Sequence, residues 1–124
     1  MELAAGILII IMSGLHIFYG EKNPVREMKK LTEDSILIGS VRVMSLQGGV
    51  LLFAVGLVHL LSFFHAITLS GVAAYFPVGI ISMNLLTFLL VAVFRHRKLF
   101  SVIAFQLVIF TVIIFLQIMV IQPF

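Results

Sequence analysis

The sequence predicts an all-α integral membrane protein, a bundle of four transmembrane helices. Three observations predict it. The chain of 124 residues is 62% hydrophobic and only 10% charged, whereas a soluble domain carries about 25% charged residues. The apolar residues fall into four long runs, each near the roughly 20 residues that one helix needs to cross a hydrocarbon core. All eight Lys and Arg residues sit in two short windows beside those runs. Spanning backbone must satisfy its polar groups internally, so only helices and closed barrels cross a bilayer. Continuous apolar runs without strict alternation select helices.

The first span covers about residues 3–19. It is a retained span and not a signal peptide, because Glu2 stands where a basic n-region belongs and no small-x-small cleavage site follows. Within it, Ala5, Ile9, Ser13, His16 and Gly20 share one face at about 100° per residue.

The first basic window, Lys22, Arg26, Lys29, Lys30 and Arg42, follows the first span, all but Arg42 within the polar stretch from Gly20 to about Ser40. Asn23 ahead of Pro24 reads as an N-cap with proline at the first helical position. Val25, Met28 and Leu31 then recur at helical spacing among charged residues. This predicts a short amphipathic cytoplasmic helix at the interface between spans one and two. Thr32 before Glu33 and Asp34 reads as a second N-cap with acids on the positive end of the helix dipole. The second helix is expected to begin near Glu33 and to enter the membrane at about Val41, with Arg42 snorkelling to the headgroups.

The second span covers about 41–64, with Ser45, Gly49, Leu52, Gly56 and His59 on one face. The adjacent Gly48 and Gly49 permit a kink or close packing. A short uncharged turn, 65–71, leads to the third span at about 72–94, where Pro77, Ile80, Asn84, Thr87 and Val91 share a face. The second basic window, Arg95, Arg97 and Lys98, precedes the fourth span at about 99–121. There Gln106, Phe110, Ile113 and Gln117 align.

Two spans separate the basic windows, so both lie on one side. The positive-inside rule assigns that side to the cytoplasm, which makes the chain N-out and C-out in what is expected to be the cell membrane. The same clustering explains the net charge of +3 without nucleic acid. With no cysteine, disulfides, thiolate metal sites and cysteine nucleophiles are excluded.

Polar residues are costly in a bilayer and face the bundle interior or a cavity. At a rise of about 1.5 Å per residue, His16, Gln47 and Gln106 lie within roughly 10 Å of the cytoplasmic edge. Asn84 falls near the middle, and His59 and Gln117 form an outer layer. One reading is that the small and polar stripes only hold helices together. The other is that His16, Tyr19, Gln47, Asn84 and Gln106 line a ligand cavity opening to the cytoplasm, with Glu21 and Arg42 at its mouth. Binding or transport of a small molecule in the bundle is therefore the first expectation. A non-catalytic accessory or assembly subunit of a membrane complex, or a homo-oligomer, is the second.

A haem carrier or membrane enzyme comes third. His16 and His59 differ in depth by roughly 15–20 Å, so they do not ligate one iron within a chain, although a parallel dimer would bring His16 to its symmetry mate. No His-x-x-x-His pair and no acid within a span supports metal or carboxylate chemistry, and no cofactor is expected. Size and span count resemble the small multidrug-resistance transporters and the small fluoride channels. The first family's embedded glutamate is missing from span one, which holds Ser13 and His16 instead. The second family's paired-Phe motif is missing too, since Phe63 and Phe64 are adjacent and interfacial. The resemblance is one of size alone.

Overall fold

A computed structural model describes residues 1–122, with the side chains of all but Leu99, Val102 and Ile103. The described residues are all-helical. Helix α1 runs Glu2–Gly20, α2 Arg26–Leu31, α3 Ser35–Phe63, α4 Phe76–Phe94 and α5 Leu99–Ile121. Four helical stretches are long and apolar enough to cross a membrane: Glu2–Leu31, Ser35–Phe63, Gly71–Phe94 and Ala104–Ile121. At 29 residues, α3 is about 43 Å long, longer than a hydrocarbon core of about 30 Å. The stretch Glu2–Leu31, at 30 residues, is as long, and its last part, α2, packs beside the first turns of α3.

Helix α1 does not stop at Asn23, contrary to the sequence expectation. It passes through one π-helical turn, Glu21–Val25, directly into α2. Proline explains the widening. In an α register the Gly20 carbonyl would seek the N–H of residue 24, which Pro24 lacks. A register wider by one residue reaches past the missing donor to Val25. Asn23 is thus mid-helix, and its Nδ2 donates to the Tyr19 carbonyl at 3.3 Å. Val25 is buried beneath this turn, while Leu31 is exposed. Lys22 reaches back so that its Nζ lies 5.4 Å from the centre of the Phe18 ring.

The second cap also differs. Asp34, not Thr32, caps α3, its Oδ1 accepting from Ile36 N at 2.8 Å and Leu37 N at 3.4 Å. Thr32 sits two residues upstream, its Oγ1 accepting from Asp34 N at 3.0 Å, and so orients the capping residue. The carboxylate spans two amides at once and stands at the positive end of the dipole.

Helix α3 ends in a Schellman turn. His65 N donates to Ser62 O and Ala66 N to Leu61 O, both at 2.9 Å, with His65 left-handed at φ 58°. That conformation is the one such turns require and that glycine fills at least cost. Gly71, at φ 57°, then opens a 3₁₀ turn, Gly71–Tyr75. The turn feeds α4, where Pro77 occupies the first turn and gives up no hydrogen bond there.

The long helices pack in cyclic order, α1 on α3, α3 on α4, α4 on α5 and α5 back on α1. The antiparallel pair α1 and α3 is the closest. Ser13 Oγ donates to the Gly49 carbonyl at 2.7 Å. A methyl placed on Gly56 would lie 3.0 Å from the Gly6 carbonyl oxygen and 2.7 Å from Ile10 Cγ1. Small residues at heptad-like spacing allow this approach of backbones. Gly48 and Gly49 accordingly serve close packing within a continuous helix. Ile9, Met12, Leu52, Val55, Ile81, Phe110 and Ile113 form the core between the four helices.

The expected faces of α1, α3 and α5 are the packed ones. On α4 the face is rotated: Pro77, Ile81 and Ala92 are buried, while Thr87 and Val91 are exposed. Thr87 satisfies its hydroxyl within its own helix, Oγ1 donating to Met83 O at 2.9 Å, so it needs no neighbour.

Candidate functional site

The nine residues singled out in the sequence fall into three groups. At the basic end, Glu21 and Arg42 meet in a two-pronged ion pair. Arg42 Nε donates to Oε1 at 2.6 Å and Nη2 to Oε2 at 3.2 Å. The pair ties the π turn to α3 and is open to solvent on both sides. His16 is half-buried, its ring lying flush on α3: a methyl on Gly48 would sit 2.7 Å from His16 Nε2. Tyr19 and Gln47 are exposed and Gln106 is half-buried. Gln47 lies two residues from Gly49, on the opposite side of α3 from the packed face. It therefore does not join His16.

Near the middle, Asn84 is half-buried and its Nδ2 donates to Ile80 O at 3.0 Å within α4. It stands on the wall of an open apolar groove of about 500 Å³, formed with Leu51, Val72, Tyr75, Gly79 and Met83 among others.

The third group is the built one. His59 and Gln117 meet at the end of the bundle opposite the basic windows, Gln117 Nε2 lying 2.9 Å from His59 Nε2. His59 is 4% exposed and Gln117 1%. Their helices supply the reason. His59 stands one turn before the end of α3 and Gln117 one turn before the end of α5. Gly6 on α1 faces His59, with a methyl there 3.2 Å from its Cβ, so α1 lets the imidazole lie deep.

The amide donates to His59 Nε2, which places the imidazole proton on Nδ1. Nδ1 and Gln117 Oε1 then have no partner among the described residues. Turning the amide over exchanges the roles but not the outcome, leaving Nδ1 an unmet acceptor and the amide nitrogen an unmet donor. Each buried polar group without a partner costs about 1–3 kcal/mol. The pair thus holds at least one donor and one acceptor in reserve.

A cavity of about 690 Å³ opens beside them. Glu2, His59, Ser62, Ser70, Tyr75 and Gln117 supply its polar lining, and Leu69, Val72, Pro77, Val78, Val120 and Ile121 are among the apolar residues. The volume lies in the range of small-molecule sites, about 300–1,000 Å³, and the mixture of apolar wall with few polar groups is typical of them. Among the described residues no cluster of three or more His, Cys, Asp or Glu stands ready for a metal ion.

Sequence reasoning placed His59 and Gln117 in one layer but missed Glu2, Ser62 and Tyr75. Glu2 carried a usable signal: it precedes Gly6 by one turn on the face that meets His59. The 3₁₀ turn that brings Ser70 and Tyr75 to the rim left no such mark. No protein family, curated protein or solved structure matches this chain.

Proposed function

We propose that the chain is a small-molecule binding or transport protein of the cell membrane whose site is the cavity over His59 and Gln117. One observation carries this reading: a buried polar pair with unspent hydrogen-bonding capacity at the base of a ligand-sized cavity. A pair that served packing alone would be expected to satisfy both partners. The site lies at the outer layer, away from the cytoplasmic layer first expected from His16, Gln47 and Gln106. The polar stripes of α1 and α3 then act chiefly in packing.

The orientation proposed with it is N-out and C-out, with both basic windows and the amphipathic α2 on the cytoplasmic side. The absence of cysteine makes the test direct. A cysteine at Lys30 or Arg97 should be shielded from a membrane-impermeant maleimide in intact cells, and one at Thr68 labelled; the reverse pattern would overturn the orientation. For the site, native mass spectrometry of the chain in lipid nanodiscs should reveal a bound small molecule in the wild type that His59→Phe lacks. Identical spectra would refute the reading.

A second reading is favoured by the open groove of about 500 Å³ between α3 and α4. Apolar grooves beside a small residue such as Gly79 suit a helix of another membrane protein or a second copy. In that case the chain is an accessory or assembly subunit. Native purification giving a lone monomer would argue against it.

A further inference from the structure

We infer that the cavity over His59 and Gln117 takes a protonated amine with a small apolar body. The inference rests on the proposed ligand site and names the chemistry of its occupant. Three features point to a cation. Glu2 is the one carboxylate among the described residues lining the cavity, and no described Lys or Arg lines it. All eight Lys and Arg residues of the chain lie in the two windows at the opposite end. Gln117 Oε1, nine-tenths buried and unpartnered, adds a neutral acceptor beside the carboxylate. A carboxylate oxygen and an amide oxygen both accept from an N–H donor and repel an anion.

Two features point to an apolar body. The wall away from these groups is Leu69, Val72, Pro77, Val78, Val120 and Ile121. Tyr75 adds a ring on which an alkylammonium can rest. The imidazole Nδ1, also without a partner among the described residues, remains for a hydroxyl on the same ligand, which can donate or accept. A bare metal ion would leave the apolar wall unused and would find too few ligands.

Four-carbon probes separate these terms. Butylammonium, butanol and butyrate share one chain and differ in charge. Each is titrated into the full chain in phosphatidylcholine nanodiscs, whose neutral headgroups give amines no electrostatic advantage. The readout is the imidazole nitrogen NMR signal of His59, assigned by its loss in His59→Phe, which reports the site and ignores partitioning into lipid. A charge-assisted hydrogen bond predicts that butylammonium shifts the signal at a concentration at least about tenfold below butanol, with butyrate weakest. Glu2→Gln, at the start of α1 and outside the core, should bring butylammonium and butanol together. Equal titration by the two in the wild type overturns the cation while leaving a ligand site in the bundle. An ammonium preference that survives Glu2→Gln, or a preference for butyrate, also overturns it. Should none of the probes move His59, the amine and the site fall together.

Discussion

Replacing Gly56 by alanine should destabilise the bundle, whereas the same change at Gly14 should not. At Gly56 the new methyl meets Ile10 Cγ1 at 2.7 Å, the Gly6 carbonyl oxygen at 3.0 Å and Ile10 N at 3.2 Å. Two of these are backbone atoms of α1, so no rotamer change relieves all three contacts. Helix α1 must retreat by several tenths of an ångström, and that lengthens the Ser13–Gly49 hydrogen bond, now 2.7 Å. Overpacking of this kind costs about 1–3 kcal/mol, and an interhelical hydrogen bond in a membrane protein adds about 0.6 kcal/mol. In water, helix propensity would return about 0.5–1 kcal/mol. In a bilayer the separated helices are already helical, so little returns. The net is about 2 kcal/mol. At Gly14 nothing lies within 4 Å of the added carbon, and the expected change is within about 0.5 kcal/mol. Reversible unfolding in mixed micelles, followed by circular dichroism, measures both. Equal stability of the two variants would refute the close α1–α3 approach.

Three further outcomes follow from local geometry. Asp34→Ala removes the α3 cap and should cost about 1 kcal/mol in the same unfolding assay, while Thr32→Val, which only orients the cap, costs less; the reverse order would return the cap to Thr32. His65→Gly relieves a left-handed backbone and should stabilise by about 1 kcal/mol, whereas a loss would mean that the imidazole itself holds the turn. Gln117→Leu leaves His59 wholly unpartnered and should cost about 1–3 kcal/mol, yet His59→Phe with Gln117→Leu should cost less than the sum of the single changes; strict additivity would show that the two side chains do not interact.

The sequence made the four helices legible because composition alone separates them from the basic windows. It also made the packed faces of α1 and α3 legible, since Gly, Ser and His interrupt otherwise uniform apolar runs at helical spacing. On α4 the markers misled. Asn84 and Thr87 satisfy themselves within their own helix, so polarity there does not report the buried side. Exchanging Ile80 for Ile81, or Val91 for Ala92, leaves the hydropathy pattern nearly unchanged. Gln47 misled for a related reason, since a polar residue close to the basic end need not turn inward. Of the two expected caps, Asn23 lies mid-helix and Thr32 stands two residues before the actual cap, because Asn23, Thr32 and Asp34 are all good caps in isolation. Only the missing proline N–H and the reach of the Asp34 carboxylate decide among them. The His59–Gln117 layer was legible from helical rise. Its cavity was not, because the rim comes from a 3₁₀ turn and from Glu2 at the start of the chain.

The core sets a limit on what such a site does. Ile9, Met12, Leu52, Val55, Ile81, Phe110 and Ile113 fill the bundle between the His59–Gln117 layer and the basic end. The polar side chains in that zone, Ser13 and Asn84, spend their donors on backbone carbonyls, so an ion crossing it would meet a mostly apolar wall. It would then face eight positive side chains. Desolvation and charge both argue against a standing pore for cations. Binding at the His59 end is allowed without any such passage, and transport would need α1 and α3 to move together against α4 and α5. Planar-bilayer recording with the purified chain and a butylammonium gradient should accordingly give no steady current. A sustained cation current abolished by Glu2→Gln would show that the apolar zone opens, and the core as described would then be one state of two.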